Sequence, residues 1–318
     1  MLDNLELSYS TNGSPLLSGG DGRNNQIFIA TWASKQIIQR SIEHVTMFAI
    51  EEPEAHLHPH QQRKLSKYLV DIFDEQIFLT SHSPYIASGF KPDKIVRLYA
   101  KNKVSDAAQG GCAHNLKVTF NDFGYRLNAT TAEVFFTNGV LLVEGVSEKL
   151  FYSAFAKQVG IDLDNLNISI ISVDGIGFKP YIKVFKALEI PYVMRTDDDI
   201  FTKTKKGENF HFCAGISRVM GIYKELISQT PKSDKLLKYW SNNKANNEWP
   251  ATDEYTKEAA ELNDYIRTEL DDYNIFLSIN NLEEDLADSK LRASLSEFYD
   301  VDNREDLLAI MQIILIFR

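Results

Sequence analysis

Apolar runs of four or five residues alternate with amphipathic stretches along most of the chain, and this pattern predicts an α/β fold. In the first hundred residues, apolar runs at 46–50, 76–80 and 95–99 predict strands. Strands are also predicted at 140–143, 168–171 and 191–194. Between the first two runs, apolar side chains recur at the spacing of one helical face: Leu65, Tyr68, Leu69, Ile72 and Phe73. The pattern predicts two successive α/β segments, the second built on a parallel sheet.

The boundaries of these segments lie where the periodic pattern of apolar residues ends. Residues 1–100 form the first segment, 101–135 form a connector with turn-forming glycines, and 136–318 form the second segment. Glycine and capping signals then place the elements of the second segment. They are a helix near 147–158 with Ser147 as its N-cap, a helix at 178–188, a helical insertion at about 205–270, a strand at 274–278 and two terminal helices.

Composition and charge narrow the class of protein. The chain has 318 residues and a net charge of −10, so no overall basic charge indicates nucleic-acid binding. An acidic nuclease is compatible with this charge, because bound metal ions reverse the local field at a site. Cys112 and Cys213 are far apart, which is typical of reduced thiols. With no signal-peptide pattern and no apolar stretch long enough to span a bilayer, we expect a cytoplasmic protein without a membrane partner.

Acidic residues follow the predicted strands of the second segment. Glu144 comes directly after the first strand, Asp174 follows the second, and Asp197 and Asp199 follow the third. The carboxyl ends of parallel strands meet at one edge of a sheet, so we expect these carboxylates to converge. Glu148 lies one helical turn after Glu144, and Asp197 and Asp199 point to the same side of an extended segment. Such a cluster repels itself without cations, and Mg²⁺ or Mn²⁺ suits its oxygen ligands.

The acid cluster predicts a phosphoryl-transfer centre. Two metal ions about 4 Å apart would activate a water and stabilise the leaving oxygen. The alternative is that the acids cap helices and line solvated turns, a role that Asp198 and Glu148 fit when each is taken singly.

The first segment carries residues suited to nucleotide chemistry. Glu51 and Glu52 stand at the end of a predicted strand, where the first acid would hold Mg²⁺ and the second would polarise the attacking water. His82 follows the next strand, placed to sense a γ-phosphate. Upstream, the stretch Leu-Ser-Gly-Gly-Asp-Gly at 17–22 opens an apolar helical run, and such a helix start presents free N–H groups to an anion.

This order of motifs resembles the second half of an ABC-type ATPase domain. Glu51 and Glu52 resemble the Walker B acids, and His82 resembles the switch histidine. The signature motif is matched by Ser18, Gly19 and Gly20. On this resemblance, the run of His56, His58 and His60 belongs to the loop after Walker B rather than to a zinc site.

The phosphate-binding loop of such ATPases has no counterpart in the sequence. No G-x-x-x-x-G-K-[ST] motif occurs among the 16 glycines. Without that loop the chain lacks the cradle for the β- and γ-phosphates of ATP. Three explanations are open: a gene fragment, a split protein whose partner supplies the loop, or a degenerate ATPase. We favour a fragment or a split gene, so that the loop comes from a missing segment or a partner. We do not expect this chain alone to hydrolyse ATP.

The second segment resembles a Toprim domain. Val143-Glu144-Gly145 matches the glutamate motif, and Asp197-x-Asp199 matches the paired-aspartate motif. The set Glu144, Glu148 and Ser172-x-Asp174 resembles OLD-type nucleases more than topoisomerases. An ATPase half followed by Toprim is the layout of the OLD family. The resemblance predicts a partial ATPase domain followed by a Rossmann-like Toprim nuclease domain with a helical C-terminal region.

The resemblance implies a metal-dependent DNA endonuclease that is regulated by ATP and serves defence against foreign DNA or DNA repair. It assigns catalytic roles to Glu144, Asp197 and Glu52. It also adds Glu283 or Glu284, from the acidic stretch 282–285, as a ligand of a second metal site, and we prefer Glu284. It implies a homo-oligomer formed through the ATPase half, and a helicase is a candidate partner. The family's later lysine has no counterpart, because Lys290 lies too close to the acidic stretch. Candidate contacts to DNA phosphates are Lys203, Lys205 and Lys206.

Two other classes of function stay open. One is a regulatory module that binds DNA or a helicase without cutting. The other is a Toprim primase or topoisomerase, which the ATPase-type half disfavours.

Overall fold

The computed structural model describes residues 9–11, 14–16, 21–38, 47–72, 76–108, 129–175 and 177–316. The chain divides into two compact units, Met1–Phe136 and Thr137–Arg318, which are called here the first unit and the second unit. The predicted connector, 101–135, falls within the first unit, and its residues 109–128 lie outside the described part.

The first unit contains the strand–helix–strand series that the periodicity predicts. In chain order its elements are β1 (Tyr9–Thr11), β2 (Ser14–Leu16), α1 (Asp21–Ile38), β3 (Met47–Glu51), α2 (Pro59–Ile72), β4 (Gln76–Thr80), α3 (Pro84–Ala87), β5 (Leu98–Lys101), β6 (Val104–Ala107) and α4 (Ala129–Ala132). Short 3₁₀ turns lie at Pro92–Lys94 and Glu133–Phe136. β3 and β4 are parallel, and α2 connects them along the chain.

The core of the first unit packs apolar residues of its helices against β3. Each fully buried side chain of this kind contributes about 1.5–3 kcal/mol to folding. Gly22, in the first turn of α1, has no room for a side chain, because a Cβ would come 2.3 Å from the backbone oxygen of His56. The buried cluster consists of Ile29, Phe48, Leu57, Leu65, Leu69 and Ile86.

One predicted strand of the first unit starts later than expected. β5 begins at Leu98 rather than at residue 95, and it pairs with β6 in an antiparallel hairpin. The turn residues Asn102 and Lys103 both have positive φ angles, 52° and 65°, as in a tight hairpin turn. The prediction of a connector over 101–135 did not include this hairpin, because lysine replaces the glycine that usually marks such a turn.

The second unit is built around a parallel sheet, as expected. Four strands in the order β13–β9–β7–β8 form it, and all neighbouring pairs are parallel. Leu142 and Met194, at its centre, have no solvent exposure. The strands of the unit are β7 (Gly139–Val143), β8 (Ile168–Ser172), β9 (Tyr192–Thr196), β10 (Ile200–Lys205), β11 (Glu208–Cys213), β12 (Glu248–Pro250) and β13 (Ile275–Leu277).

The helices of the second unit largely follow the predicted positions. The first of them begins after Gly145 rather than at a Ser147 cap, because the side chain of Glu148 accepts the Gly145 N–H at 3.1 Å and closes the first turn. The helices are α5 (Val146–Gln158), α6 (Leu163–Leu166), α7 (Lys179–Ala187), α8 (Ala214–Ile222), α9 (Lys235–Asn243), α10 (Lys257–Asp271), α11 (Leu282–Ala287), α12 (Arg292–Tyr299) and α13 (Arg304–Ile316).

The C-terminal region has three helices where two were predicted. The chain turns at Asp300, which adopts a left-handed conformation with a φ of 55° and separates α12 from α13. Among the helices that the structure describes, none combines the length and the apolar character needed to cross a membrane.

The stretch predicted as a helical insertion, 205–270, also contains strands. β10, β11 and β12 form an antiparallel sheet. Lys206, with a φ of 51°, and Gly207, with a φ of 88°, make the tight turn between β10 and β11. Phe210 and Phe212 alternate with polar residues along β11, and this period of two is the signal that the helical prediction overlooked. Helices α8, α9 and α10 account for most of the remaining stretch.

Candidate functional site

Glu144 follows the last residue of β7, and its carboxylate receives several hydrogen bonds. Oε1 accepts the N–H of Asp197 at 3.1 Å and the hydroxyl of Thr196. The guanidinium of Arg218, on α8, also donates to Oε1. β7 and β9 are neighbours in the sheet, so these contacts bring Glu144 and Asp197 together at one sheet edge.

The aspartates after β9 have different surroundings. Asp197 Oδ1 accepts hydrogen bonds from Arg195 at 3.0 Å and from Ser278 at 2.8 Å. Asp198 has no solvent exposure, and its Oδ2 accepts a hydrogen bond from Arg267 at 2.9 Å. The alternation expected of an extended segment is thus present: the side chain of Asp198 is buried in the protein, whereas Asp197 lies beside Glu144.

The carboxylates near Glu144 oppose one another's ionisation. Burial raises the pKa of Asp197 to about 6, and the charges of Glu148 and Glu144 add to this rise. Burial also raises the pKa of Asp199, with Glu144 as the next cause. The pKa of Glu148 is raised by burial, with a further contribution from Glu144. Glu144 therefore stands at the centre of a group of four acids, which we call the acid group.

Glu148 is a buried member of the acid group, whereas Asp174 lies beside the group. Glu148 is only 6% exposed, and one of its oxygens accepts the backbone N–H of Gly145 at 3.1 Å. Asp174 is exposed, and its N–H donates to the backbone oxygen of Glu144 at 3.1 Å. This bond holds the end of β8 beside the end of β7, so Asp174 follows Glu144 along the same sheet edge.

In the acidic stretch 282–285, the residue that reaches the acid group is Asp285 rather than Glu284. Asp285 accepts a hydrogen bond at 2.9 Å from Arg195, the residue that also binds Asp197. Glu284, which the sequence favoured, accepts the side-chain amide of Asn280 at 2.6 Å and lies 3.7 Å from Arg304. The two acids are neighbours on α11, where successive side chains point about 100° apart, so only one of them faces the sheet.

The acid group fits a hard cation by its chemistry, because it gathers oxygen donors that resist sharing negative charge. Within the ranges that the structure describes, however, no three histidine, cysteine or acidic side chains form a ready metal cage. Arg218 is one reason why suitable donors do not form such a cage, since its guanidinium already binds Glu144. The donors suit divalent ions, and in this conformation an arginine holds the central one.

In the first unit, Glu52 and His82 meet at the ends of two neighbouring parallel strands. His82 Nε2 lies 3.2 Å from Glu52 Oε1, and both side chains are exposed. Glu51 is the last residue of β3. Glu54 fixes the loop that carries His82, because its Oε1 accepts the Ser81 hydroxyl at 2.6 Å and the His82 N–H at 2.8 Å. The residues that resemble Walker B and the switch histidine are thus adjacent.

Of the other residues in the ATPase-like motifs, some lie outside the part of the chain that the structure describes. Ser18, Gly19 and Gly20 lie outside the described residues, and α1 begins directly after them at Asp21. His56, with a φ of 63°, belongs to the loop that follows β3, and no metal cluster is found there among the described residues.

The three lysines predicted to meet DNA lie on the β10–β11 hairpin. Lys203 and Lys205 both donate to the carboxylate of Glu248, on β12. Lys203 also lies over the ring of Phe212, 4.3 Å from its centroid. Lys206 is exposed in the turn. Two of the three lysines are therefore already paired with an acid.

Two family models match this chain. A model of an AAA ATPase domain matches residues 3–87, and a model of the TOPRIM domain of overcoming lysogenization defect (OLD) protein-like proteins matches residues 135–199. This chain carries an AAA ATPase-type domain and an OLD-like TOPRIM domain. The second match contains all four members of the acid group and Asp174. The family resemblance predicted from the motifs is confirmed.

Nucleases are among the curated relatives of the chain. It is 26% identical over 207 residues to Endonuclease GajA of Bacillus cereus, a match that covers 64% of this chain and 34% of that protein. It is 26% identical over 218 residues to the OLD nuclease of Thermus scotoductus, covering 58% of this chain and 40% of that protein. The chain thus spans well under half the length of these relatives.

Similar solved structures are C-terminal regions of OLD proteins. That of Xanthomonas campestris pv. campestris is 26% identical with a TM-score of 0.33, over 57% of this chain and 70% of that chain. That of Burkholderia pseudomallei is 22% identical with a TM-score of 0.37, over 55% of this chain and 73% of that chain.

Sequence reasoning missed three residues that shape the acid group. Thr196 directly precedes the aspartates, and its hydroxyl binds Glu144. Asp285 is the third acid of its stretch, and nothing in the motif favours it over its neighbour. Arg218 contacts Glu144 across 74 positions of sequence, so no local spacing signals it.

Proposed function

We propose that this chain is part of a metal-dependent DNA endonuclease of the OLD type, which makes nicks or double-strand cuts in defence against foreign DNA or in DNA repair. The acid group carries this proposal, because burial and mutual repulsion raise the pKa of three of its members around Glu144. Acids that only cap helices do not need to share a site at the cost of their ionisation. The names of the relatives, an endonuclease and a nuclease, support the same activity.

The acid group supplies oxygen donors from two strand ends and one helix, and Asp174 adds a donor from a third strand end. When bound, divalent ions supply a polarised water and charge neutralisation for phosphodiester hydrolysis. Arg195, bridged between Asp197 and Asp285, holds the Asp197 carboxylate in place. Thr196 does the same for Glu144. The proposed ligands of Mg²⁺ or Mn²⁺ are Glu144, Glu148, Asp174, Asp197 and Asp199.

DNA is the proposed substrate, and because the chain is acidic overall, DNA binding requires local positive charge. With a net charge of −10, the chain has no general attraction for phosphates. Binding then depends on cations at the acid group and on local lysines. Lys203 and Lys205 would exchange their pairing with Glu248 for a DNA phosphate, and Lys206 stands exposed beside them.

The first unit is proposed to regulate this activity through ATP. Glu51 would hold Mg²⁺, Glu52 would polarise water, and His82 would sense the γ-phosphate. The contact between His82 and Glu52 supports this assignment, because it joins the two groups that must act on one phosphate. A phosphate-binding loop would come from another segment or partner. Oligomerisation through this unit and a helicase partner are further parts of the proposal.

The proposal is tested by the variant Glu144→Ala in a plasmid-nicking assay with Mg²⁺ or Mn²⁺. Loss of the central oxygen donor is expected to reduce nicking by about a hundredfold or more, which corresponds to roughly 2.7 kcal/mol of transition-state stabilisation. Glu254→Ala is the matched control, because Glu254 is an exposed acid of the same unit. Nicking that Glu144→Ala leaves unchanged would refute the assignment.

A module that binds DNA or a helicase without cutting is the second candidate. It is favoured by one observation, the engagement of Glu144 by Arg218 where a cation would otherwise bind. The same plasmid assay separates the two functions. A gel shift without nicked or linear product at any Mg²⁺ or Mn²⁺ concentration would favour the binding module.

A further inference from the structure

Arg218 places a positive charge inside the acid group. Its NH1 donates hydrogen bonds to Glu144 Oε1 and to Thr196 Oγ1. The guanidinium is therefore in direct contact with the central acid.

The position of Arg218 is fixed by the start of α8. The N–H of Ala214 donates to the backbone oxygen of Asp199 at 2.9 Å. Gly215 packs so closely that a Cβ would come 2.3 Å from the backbone oxygen of Asp197. The first turn of α8 thus rests on the aspartate loop itself. Arg218 follows one turn later, where the helix directs it toward Glu144.

Arg218 differs from the other guanidinium near the acid group. Arg195 is only 9% exposed and binds both Asp197 and Asp285, so its departure would leave buried charges without a partner. The side chain of Arg218 is 30% exposed, and that of Glu144 is 26% exposed. Part of the Arg218–Glu144 pair is already in water, so this pair can open at a lower cost.

We propose that Arg218 is a built-in counter-cation for Glu144, which stabilises the site without metal and competes with a divalent cation for the same carboxylate. Binding of the cation requires Glu144 to exchange the guanidinium for the metal. Arg218 thereby sets the metal concentration at which the site fills. This inference rests on the proposed function, since it takes Glu144 as a metal ligand.

The size of the effect follows from the charge. A hydrogen bond to a charged group, such as the one between Arg218 and Glu144, changes an equilibrium constant by roughly ten- to a hundredfold. Arg218 is partly exposed, which places the effect near the lower end of this range. Removing its charge is therefore expected to tighten cation binding by about tenfold.

Isothermal titration calorimetry of the metal-free chain with MnCl₂ tests the inference without any activity measurement. Arg218→Gln keeps a hydrogen-bond donor but removes the charge, and it is expected to bind Mn²⁺ about tenfold more tightly than the wild type. Arg218→Lys keeps the charge and is expected to bind like the wild type. Arg292→Gln, at an exposed arginine of the same unit, is the control for a general loss of positive charge.

Thermal unfolding gives a second readout on the same variants. In EDTA, Arg218→Gln is expected to have a lower Tm than the wild type, because Glu144 then faces the other acids without a cation. Mn²⁺ is expected to raise its Tm by more than it raises that of the wild type. If Arg218→Gln is unfolded in EDTA but folds with Mn²⁺, that result also supports the counter-cation role.

The outcomes separate this inference from the proposed function. If the wild type shows no Mn²⁺ binding that Glu144→Gln removes, the metal site itself fails. If the wild type binds Mn²⁺ through Glu144 while Arg218→Gln binds no more tightly, the counter-cation role is overturned and the metal site stands. Tight binding by Arg218→Lys would overturn it as well, because the competing charge is still present in that variant.

Discussion

Asp197, Asp198 and Asp199 are consecutive in sequence, yet only the first and last belong to the acid group. Asp198 has no solvent exposure, and its Oδ1 accepts the N–H of Ile216, in the first turn of α8, at 2.9 Å. Its Oδ2 binds Arg267, on α10, at 2.9 Å. One carboxylate thus ties the end of β9 to two helices, which is a structural role.

The variant Asp198→Asn removes the charge that compensates Arg267, whose side chain is 19% exposed. Breaking a buried pair in this way is expected to cost about 3 kcal/mol of unfolding free energy, measured by urea denaturation. Asp199→Asn, at the partly exposed neighbour, is expected to cost less than about 1 kcal/mol while abolishing nicking. Equal losses of stability in the two variants would contradict this division.

At the scale of elements, the docking of α8 on the aspartate loop controls the acid group. Gly215 and Gly221 lie on this same helix, but only Gly215 faces backbone atoms at close range, whereas a Cβ on Gly221 would meet nothing within 4 Å. The two glycines therefore make a matched pair, because alanine favours the helix equally at both positions.

Gly215→Ala is expected to push α8 away from the loop and to lower the unfolding free energy by about 1–3 kcal/mol. Nicking is expected to fall as well, because Arg218 and the aspartates move apart. Gly221→Ala is expected to be neutral or to stabilise by up to about 1 kcal/mol. Urea midpoints of the two variants measure the difference. The same midpoint for both would show that the close contact between Gly215 and the aspartate loop does not contribute to stability.

Asp234 is the N-cap of α9 and joins it to the preceding turn. Its Oδ1 accepts the N–H of Leu237 at 3.0 Å, and its Oδ2 accepts the hydroxyls of Tyr223 at 2.9 Å and Ser228 at 2.7 Å. Burial alone would raise the pKa of Asp234, but these hydrogen bonds to the charged form outweigh burial and lower the pKa.

A lowered pKa in the folded state makes the contribution of Asp234 depend on pH. Its stabilisation is fully present above the ordinary value of 3.8 and is lost as the pH falls through the lower folded value. Asp234→Asn is expected to cost about 1–2 kcal/mol at pH 7, and the gap to the wild type is expected to shrink below about pH 4. Urea unfolding at pH 7, 5 and 3.5 measures the gap, which would stay constant if the charge played no part.

The elements that could be predicted are those whose signal is local. β7, β8 and β9 are apolar runs, and the chain direction of a parallel sheet alone places Glu144, Asp174 and Asp197 at one edge. The antiparallel sheet of β10–β12 was missed because the period of two along β11 stands beside a longer stretch whose pattern is helical. The contact between Arg218 and Glu144 depends on how α8 packs, which no spacing in the sequence encodes.

At the scale of the whole molecule, the chain combines the residues proposed to act on a nucleotide with the acid group, but its sequence lacks one motif. Glu52 and His82 lie side by side, as the proposed action of both residues on one phosphate requires. The sequence contains no G-x-x-x-x-G-K-[ST] loop to cradle the β- and γ-phosphates. Without the phosphate-binding loop, the proposed site around Glu52 and His82 is not expected to bind ATP tightly, because backbone N–H groups of that loop supply most of the phosphate contacts.

The purified chain is therefore expected to hydrolyse no ATP above background, and ATP is expected to leave the rate of plasmid nicking unchanged. Phosphate release is measured over a range of chain concentrations, so that an assembly-dependent site is also detected. Glu52→Gln is the control, because it removes the group that would polarise the attacking water while preserving its size. Hydrolysis by the wild type that Glu52→Gln abolishes would show that this chain completes a nucleotide site by another route. ATP-dependent nicking that survives Glu52→Gln would indicate that binding alone, through His82 and its neighbours, regulates the second unit.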